Sequence, residues 1–386
     1  MAEEIKNIKK AAERIKKAIK KKERIILYGD ADMDGVGSVI ILKEAIKNLG
    51  GEVTAVYFPD RETEGYGVNK DALDYLKKYA PALFITLDLG IANFEEVKSA
   101  QKFGFEVVIL DHHKVLKKLP KASIIVDPHQ KGDKYPFKEF AAAGVIFKLA
   151  EVLLNKKMTP FLRNNFLELA ALATIADMMI EEDDNIEIVT SGLASLKNTF
   201  RPGLKVFCDE NTSRPDEKCS RAVAQKIISA CHSAGTAPDH LNEAYSLLTS
   251  VSADQAEPLA EYLIEKSYLR KEKIKEITEE VKRRISGEKQ EAIIFDGDSN
   301  WPILMAGPAS SKICNAYKKP VFLYSQKGNE SQGAVRTPKG IDGVKPMMHC
   351  SKFLENYGGH PQAAGFRIKN KNLKKFKKCL LAYFQK

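Results

Sequence analysis

No Cys-x-x-Cys pair occurs in this 386-residue sequence, and its six cysteines (Cys208, Cys219, Cys231, Cys314, Cys350 and Cys379) are scattered. That spacing argues against a zinc ribbon or a thioredoxin-like centre and predicts reduced, mostly buried thiols. No apolar run is long enough to cross a membrane as a helix. The start, Met1-Ala-Glu-Glu-Ile-Lys6, lacks the apolar stretch of a signal peptide, so a cytoplasmic protein without a membrane partner is expected. Internal repeats and low-complexity tracts are absent as well. Acid is scarce relative to base: 51 Asp and Glu against 61 Lys and Arg leave a formal net charge of +10. Such an excess suits a polyanionic partner. It equally suits a solvated, lysine-rich surface of the kind found in heat-adapted proteins, and charge alone does not choose.

What is present is a regular alternation. Residues 4–22 place Ile5, Ile8, Ala12, Ile15 and Ile19 at helical spacing among lysines and glutamates, which predicts an amphipathic surface helix. Strand patterns at 25–28, 53–58, 83–88, 107–111 and 123–127 then alternate with helical patterns at 36–48, 70–79 and 94–103. This βαβ order predicts a mainly parallel sheet covered by helices. Residues 140–200 read as helical, and Arg201-Pro-Gly203 ends that stretch with a break. A helix over about 254–285 would span roughly 45 Å, a strut between two domains. Beyond it, strands at 292–295, 321–324 and 331–336 and helices at 308–317, 346–357 and 373–384 predict a second, smaller α/β unit. The expected organisation is a catalytic domain at 1–200, a connecting segment with the long helix at 201–290, and a second domain at 291–386.

The chemistry concentrates where strands end. Asp30, Asp32 and Asp34 alternate along Gly29-Asp-Ala-Asp-Met-Asp-Gly35, directly after the apolar run Ile25–Tyr28. Aspartate disfavours strands, and alternate positions of an extended chain point the same way. Three crowded carboxylates are held most cheaply by hard divalent cations, which take oxygen ligands. Asp88 ends the run Leu83–Leu87, and Asp111-His112-His113 ends Val107–Leu110. Asp177 interrupts the apolar segment Ala173–Ala176. Ligands of open α/β sheets bind outside the carboxyl ends of the strands, where the first three motifs would converge and onto which Asp177 could fold back. Each motif alone has an ordinary explanation: Asp88 as a helix cap, Asp177 as the partner of a buried lysine, His112 as a core histidine. Together they would leave many buried carboxylates unbalanced. Carboxylates with an imidazole suit Mn²⁺ well and Mg²⁺ less so, and two such ions can clamp a phosphodiester.

Asp111-His112-His113 with Asp30-Ala-Asp32-Met-Asp34-Gly35 resembles the DHH phosphoesterase superfamily. Ala173-Thr-Ile-Ala-Asp177-Met178, the stretch Asn185–Leu196 and Arg201-Pro-Gly-Leu204 resemble its RecJ exonuclease branch. Trp301–Gly307, Gly333-Ala-Val-Arg336-Thr337 and Tyr357-Gly-Gly-His360-Pro-Gln-Ala-Ala-Gly365 resemble the DHH-associated C-terminal domain. The resemblance covers roughly residues 24–386. It implies a parallel-sheet DHH domain joined by a long helix to a smaller α/β domain. It implies two Mn²⁺ ions, with Mg²⁺ as the alternative, and a single-strand-specific exonuclease acting on DNA and RNA. Asp30 and Asp32 would serve one ion, Asp34, His112 and Asp177 the other, and Asp88 would bridge them. Asp111 would orient its neighbours and His113 would face the scissile phosphate. Arg336, Gly358, Gly359 and His360 would bind the substrate backbone, the two glycines as a tight turn. Two departures stand out. Tyr28 occupies a position where other branches carry a histidine, and Thr236 one where RecJ-like chains carry an arginine. The compact length and lysine content resemble archaeal RecJ-like nucleases. With Thr236, the length leans toward the branch that works with a Hef-like repair helicase from 3′ ends. A replication complex is the other expected partner. Alternatives from the same superfamily are a phosphodiesterase for short oligonucleotides or cyclic dinucleotides and a Cdc45-like scaffold without catalysis.

Overall fold

The computed structural model describes residues 4–115, 118–208, 217–286 and 291–385. It divides into two compact units, Met1–Ser267 and Tyr268–Lys386, and the division falls inside the helix Ala253–Ser286.

The first unit is built on five strands: β1 (Ile25–Gly29), β2 (Ala55–Tyr57), β3 (Ala82–Leu87), β4 (Phe105–Leu110) and β5 (Ile124–Val126). They lie in the order 2-1-3-4-5, and every pairing is parallel. All residues of β1 and β3 are buried, which is why they read as unbroken apolar runs rather than alternating ones. On one face, helices Met33–Asn48, Ala142–Leu154 and Pro160–Ala176 share a core with Ile8, Ile15, Leu27 and Ile85. On the other, Tyr28, Tyr57, Phe84 and Leu73 form a smaller core. From β1 the chain steps to β2 on one side and then to β3 on the other. The gap at the carboxyl ends of β1 and β3 is therefore the topological switch point, the usual ligand crevice of such sheets.

Residues 201–267, read from the sequence as part of a connecting segment, contribute Leu204, Phe207, Ile227, Leu247 and Leu263 to the first core. Arg201 seals this packing: its buried guanidinium pairs with Glu44 at 2.7 Å and donates to the Leu248 carbonyl at 3.4 Å.

The second unit carries β6 (Ile294–Asp298), β7 (Val321–Lys327), β8 (Glu330–Arg336), β9 (Asn356–His360) and β10 (Ala363–Lys369), in the order 6-7-8-10-9. Only β6 and β7 pair in parallel. Two expectations need correcting here. The helix read over 346–357 stops at His349, and Gly358-Gly359-His360 is an edge strand, not a tight turn. Backbone pairing to β10 holds a glycine-rich stretch extended, a tertiary effect that local propensity does not carry. The thiols are not all free either. Cys350 and Cys379, 29 residues apart, come within 6.0 Å Cα to Cα and form a disulfide, because the last helix packs back on this sheet. Cys208, Cys231 and Cys314 are free, and the side chain of Cys219 lies outside the described residues.

Candidate metal centre

β1 must turn directly into a helix, and Gly35 allows it: a Cβ there would lie 2.2 Å from the Asp30 carbonyl oxygen. Asp32 then caps the helix Met33–Asn48, its Oδ1 accepting from the Asp34 and Gly35 amides at 3.0 Å each. This cap starts the helix three residues before the apolar pattern does. Asp34 is buried in the first turn. Its two oxygens accept the Ala142 and Ala143 amides at 2.7 Å each, at the N-terminus of the helix Ala142–Leu154. Burial pushes its carboxyl up to about 7, against the nearby His112 and with Asp177 and Asp32 adding to the rise.

Asp88 follows β3 with φ +65°, left-handed backbone that a non-glycine residue adopts at a cost. It is no helix cap. It is buried, and its Oδ1 lies 3.2 Å from His112 Nε2. Burial and the charges of Asp34 and Asp32 drive its carboxyl well above the usual range. After β4, Asp111 is buried and spends its carboxylate on its own neighbourhood. Oδ1 accepts from the His112 amide at 2.8 Å and from His113 Nδ1 at 2.8 Å, and Oδ2 from the Ile91 amide at 3.0 Å. Burial opposes its charge, but these donors and the two imidazoles hold it well below the ordinary value. Burial and His112 work against protonation of His113, yet Asp111 and Asp88 raise it to about 9.

His112 Nδ1 lies 2.8 Å from the Phe140 carbonyl oxygen and so donates to it. In the neutral ring the other nitrogen, Nε2, then carries the lone pair. It faces Asp88 at 3.2 Å and Asp34 and Asp177 at 3.7 Å each. Asp177 is not inside a helix but ends one, Pro160–Ala176, and its carboxylate folds back onto His112.

A direct test of cation fit comes from the orphaned atoms. Asp88 Oδ1 and Asp177 Oδ2 are buried and have no hydrogen-bond donor. Acceptors packed around a lone-pair nitrogen are reconciled only by a proton or a cation. Ligand atoms within 4.8 Å of one another occur in three groups among the described residues: Asp34, His112 and Asp177; Asp30, Asp32 and Asp88; and Asp88, His112 and His113. The donor set fits divalent ions. All eight sequence-predicted residues of this centre lie together at the switch point.

Other residues lie at or around the site. Arg61 sits on the loop after β2, 2.7 Å from Asp30 and 2.8 Å from Asp32. His232 is close enough to help stabilise the Asp32 charge. Thr236 donates its hydroxyl to the Pro59 carbonyl at 3.2 Å, bracing the start of the Arg61 loop. Tyr28 is buried against Tyr57 and donates to the Gly67 carbonyl at 3.1 Å.

Within the second unit, Arg336, Ala363 and His360 form one cross-strand row through β8, β10 and β9. Arg336 Nε donates to Ser311 Oγ at 3.1 Å. Gly359 has φ +121°, and a Cβ there would strike the Ala363 carbonyl at 2.6 Å. Space beside Gly358 is open.

Residues 24–174 match the DHH family, N-terminal domain, and residues 290–386 match the DHHA1 domain. The single-stranded-DNA-specific exonuclease RecJ of Bacillus subtilis is 34% identical over 95% of this chain and 46% of its own length. RecJ of Thermus thermophilus is 30% identical over 98% of this chain and 54% of its own. This chain thus spans about half the length of these curated relatives. A crystal structure of exonuclease RecJ bound to manganese superposes with a TM-score of 0.78 at 27% identity, covering 99% of this chain and 95% of that one. RecJ from Thermus thermophilus in complex with Mn²⁺ gives a TM-score of 0.84 at 26% identity, over 99% of this chain and 55% of that one. With both domains in order and a RecJ-like fold throughout, the chain belongs to the DHH phosphoesterase superfamily, in its RecJ-like branch.

Proposed function

We propose that this chain is a manganese-dependent exonuclease hydrolysing phosphodiester bonds of single-stranded DNA. One observation carries the reading: the donorless buried oxygens of Asp88 and Asp177 lie 3.2 and 3.7 Å from Nε2 of His112. In this reading Asp34, His112 and Asp177 would hold one divalent ion and Asp30 and Asp32 another, with Asp88 available to both. Mixed carboxylate and imidazole donors suit Mn²⁺, with Mg²⁺ second. Bound there, such a pair supplies Lewis acidity to the phosphodiester and a water acidic enough to attack near neutral pH. Asp111 acts through its neighbours, fixing the His113 ring through Nδ1. His113, held protonated, donates a hydrogen bond to the scissile phosphate. Arg336 binds the substrate backbone by its guanidinium. Gly358, Gly359 and His360 do so by the open backbone beside Gly358.

The names of the relatives support single-stranded DNA as the substrate, and RNA is a second substrate under this reading. Thr236 supplies no cation for a 5′-phosphate, which favours digestion from the 3′ end. Strands labelled at either end, as DNA and as RNA, digested in Mn²⁺ and in Mg²⁺, test substrate and direction together. Replacing Asp34 or His112 with Ala should abolish turnover while leaving a folded protein by circular dichroism. Full activity in either variant contradicts the mechanism.

A further inference from the structure

The acidic cluster has two unlike halves. In one, Asp88 Oδ1 and Asp177 Oδ2 are buried without a donor. In the other, the carboxylates are already answered. Arg61 Nε donates to Asp30 Oδ1 at 2.9 Å, and Arg61 Nη2 lies 2.7 Å from Asp30 Oδ2 and 2.8 Å from Asp32 Oδ2. Backbone amides supply the remaining bonds, Ala31 to Asp30 Oδ1 at 2.7 Å and Asp34 and Gly35 to Asp32 Oδ1 at 3.0 Å each. The guanidinium is itself held, its side chain only 18% exposed and stacked 5.0 Å from the Tyr66 ring. It is charged at every accessible pH, and it bonds both oxygens of Asp30 and one of Asp32, two of the three carboxylates in the candidate ligand group Asp30, Asp32 and Asp88.

We propose that Arg61 is the resident counter-cation of the Asp30–Asp32 pair and makes the two halves of the centre unequal. The Asp34–Asp88–His112–Asp177 half takes a divalent ion with the protein as it stands. The Asp30–Asp32 half takes one only as Arg61 lets go. This rests on the two-ion reading and adds to it an order of filling and the residue that sets it. The cause is competition for the same carboxylate oxygens. Without an ion, Arg61 relieves repulsion between carboxylates that would otherwise be buried side by side. With one, its displacement is subtracted from the affinity of that half. Arg61 is carried on the loop after β2, so releasing it leaves the sheet untouched.

Mn²⁺ titration of the full chain tests this, with calorimetry for affinity and electron paramagnetic resonance of free Mn²⁺ for stoichiometry. Wild type should show two classes separated by about tenfold or more. Arg61→Gln should tighten the weaker class by about tenfold or more and leave the tighter one unchanged. Arg61→Lys, which keeps the charge but not the forked contacts, should fall between wild type and Arg61→Gln. Metal-free Arg61→Gln should also melt lower than wild type and regain the difference in Mn²⁺, a readout independent of activity. Two equal classes in wild type, or a weaker class that Arg61→Gln fails to tighten, overturns the role of Arg61 and leaves the two-ion reading intact. No bound Mn²⁺ in wild type overturns both.

Discussion

Asp111 shows how much of the centre depends on a residue that need not touch an ion. Both its oxygens are spent on the Ile91, His112 and His113 amides and on the His113 ring. Replacing it with Asn keeps the shape and removes the charge that orients and protonates His113. Groups that orient ligands in this way are typically worth about 10- to 100-fold in activity or metal affinity. For Asp111→Asn we expect kcat to fall by that order while the number of Mn²⁺ ions bound per chain stays unchanged. Loss of bound Mn²⁺ in this variant would make Asp111 a ligand instead. Asp30, Asp88, Asp111 and Asp177 were legible in the sequence for a local reason: an acid directly after an apolar run is conspicuous. Arg61 was not, because its partners are 31 and 29 residues earlier and nothing around it marks the pairing. The same holds for His232, which comes near Asp32 only through the fold.

At the level of elements, strand order decides what converges. The 2-1-3-4-5 arrangement puts the ends of β1, β3 and β4 side by side, so motifs some 25 to 80 positions apart become one cluster. Two helices complete it, one by the N-terminal amides that hold Asp34 and one by the C-terminal end that presents Asp177. The alternation of apolar runs was enough to read the parallel sheet and the long helix. It was not enough for β9 and β10, since Gly358-Gly359 has no strand propensity and is extended only by its pairing. Nor did it reveal that residues 201–267 belong to the first core. That integration is testable at Arg201, which is buried and tied to Glu44, Asn165 and the Leu248 carbonyl. Removing one partner of a fully buried pair costs about 3–5 kcal/mol, and with Glu44 30% exposed the loss here should be smaller, about 1–3 kcal/mol. Arg201→Met should lower stability by that order in urea unfolding, with Mn²⁺ binding at native conditions preserved. A change below about 0.5 kcal/mol, the size of an ordinary surface substitution, would mean that the segment is merely appended.

Over the whole molecule, the two units have separate cores and separate chemical endowments. Every group of candidate metal ligands among the described residues lies in the first unit. The row of Arg336, Ala363 and His360 lies in the second. The net charge of +10 is compatible with a nucleic-acid substrate but did not identify one, since lysine-rich surfaces arise for other reasons. The metal centre is a sharper statement, because it predicts where an ion must sit. Crystals of the full chain grown with Mn²⁺, measured at the manganese absorption edge, test it most directly. We predict an anomalous peak enclosed by Asp34, Asp88, His112 and Asp177, present at lower Mn²⁺ concentration than any peak beside Asp30 and Asp32. No anomalous density between these four side chains at saturating Mn²⁺, or a peak beside Asp30 and Asp32 that fills first, would contradict it.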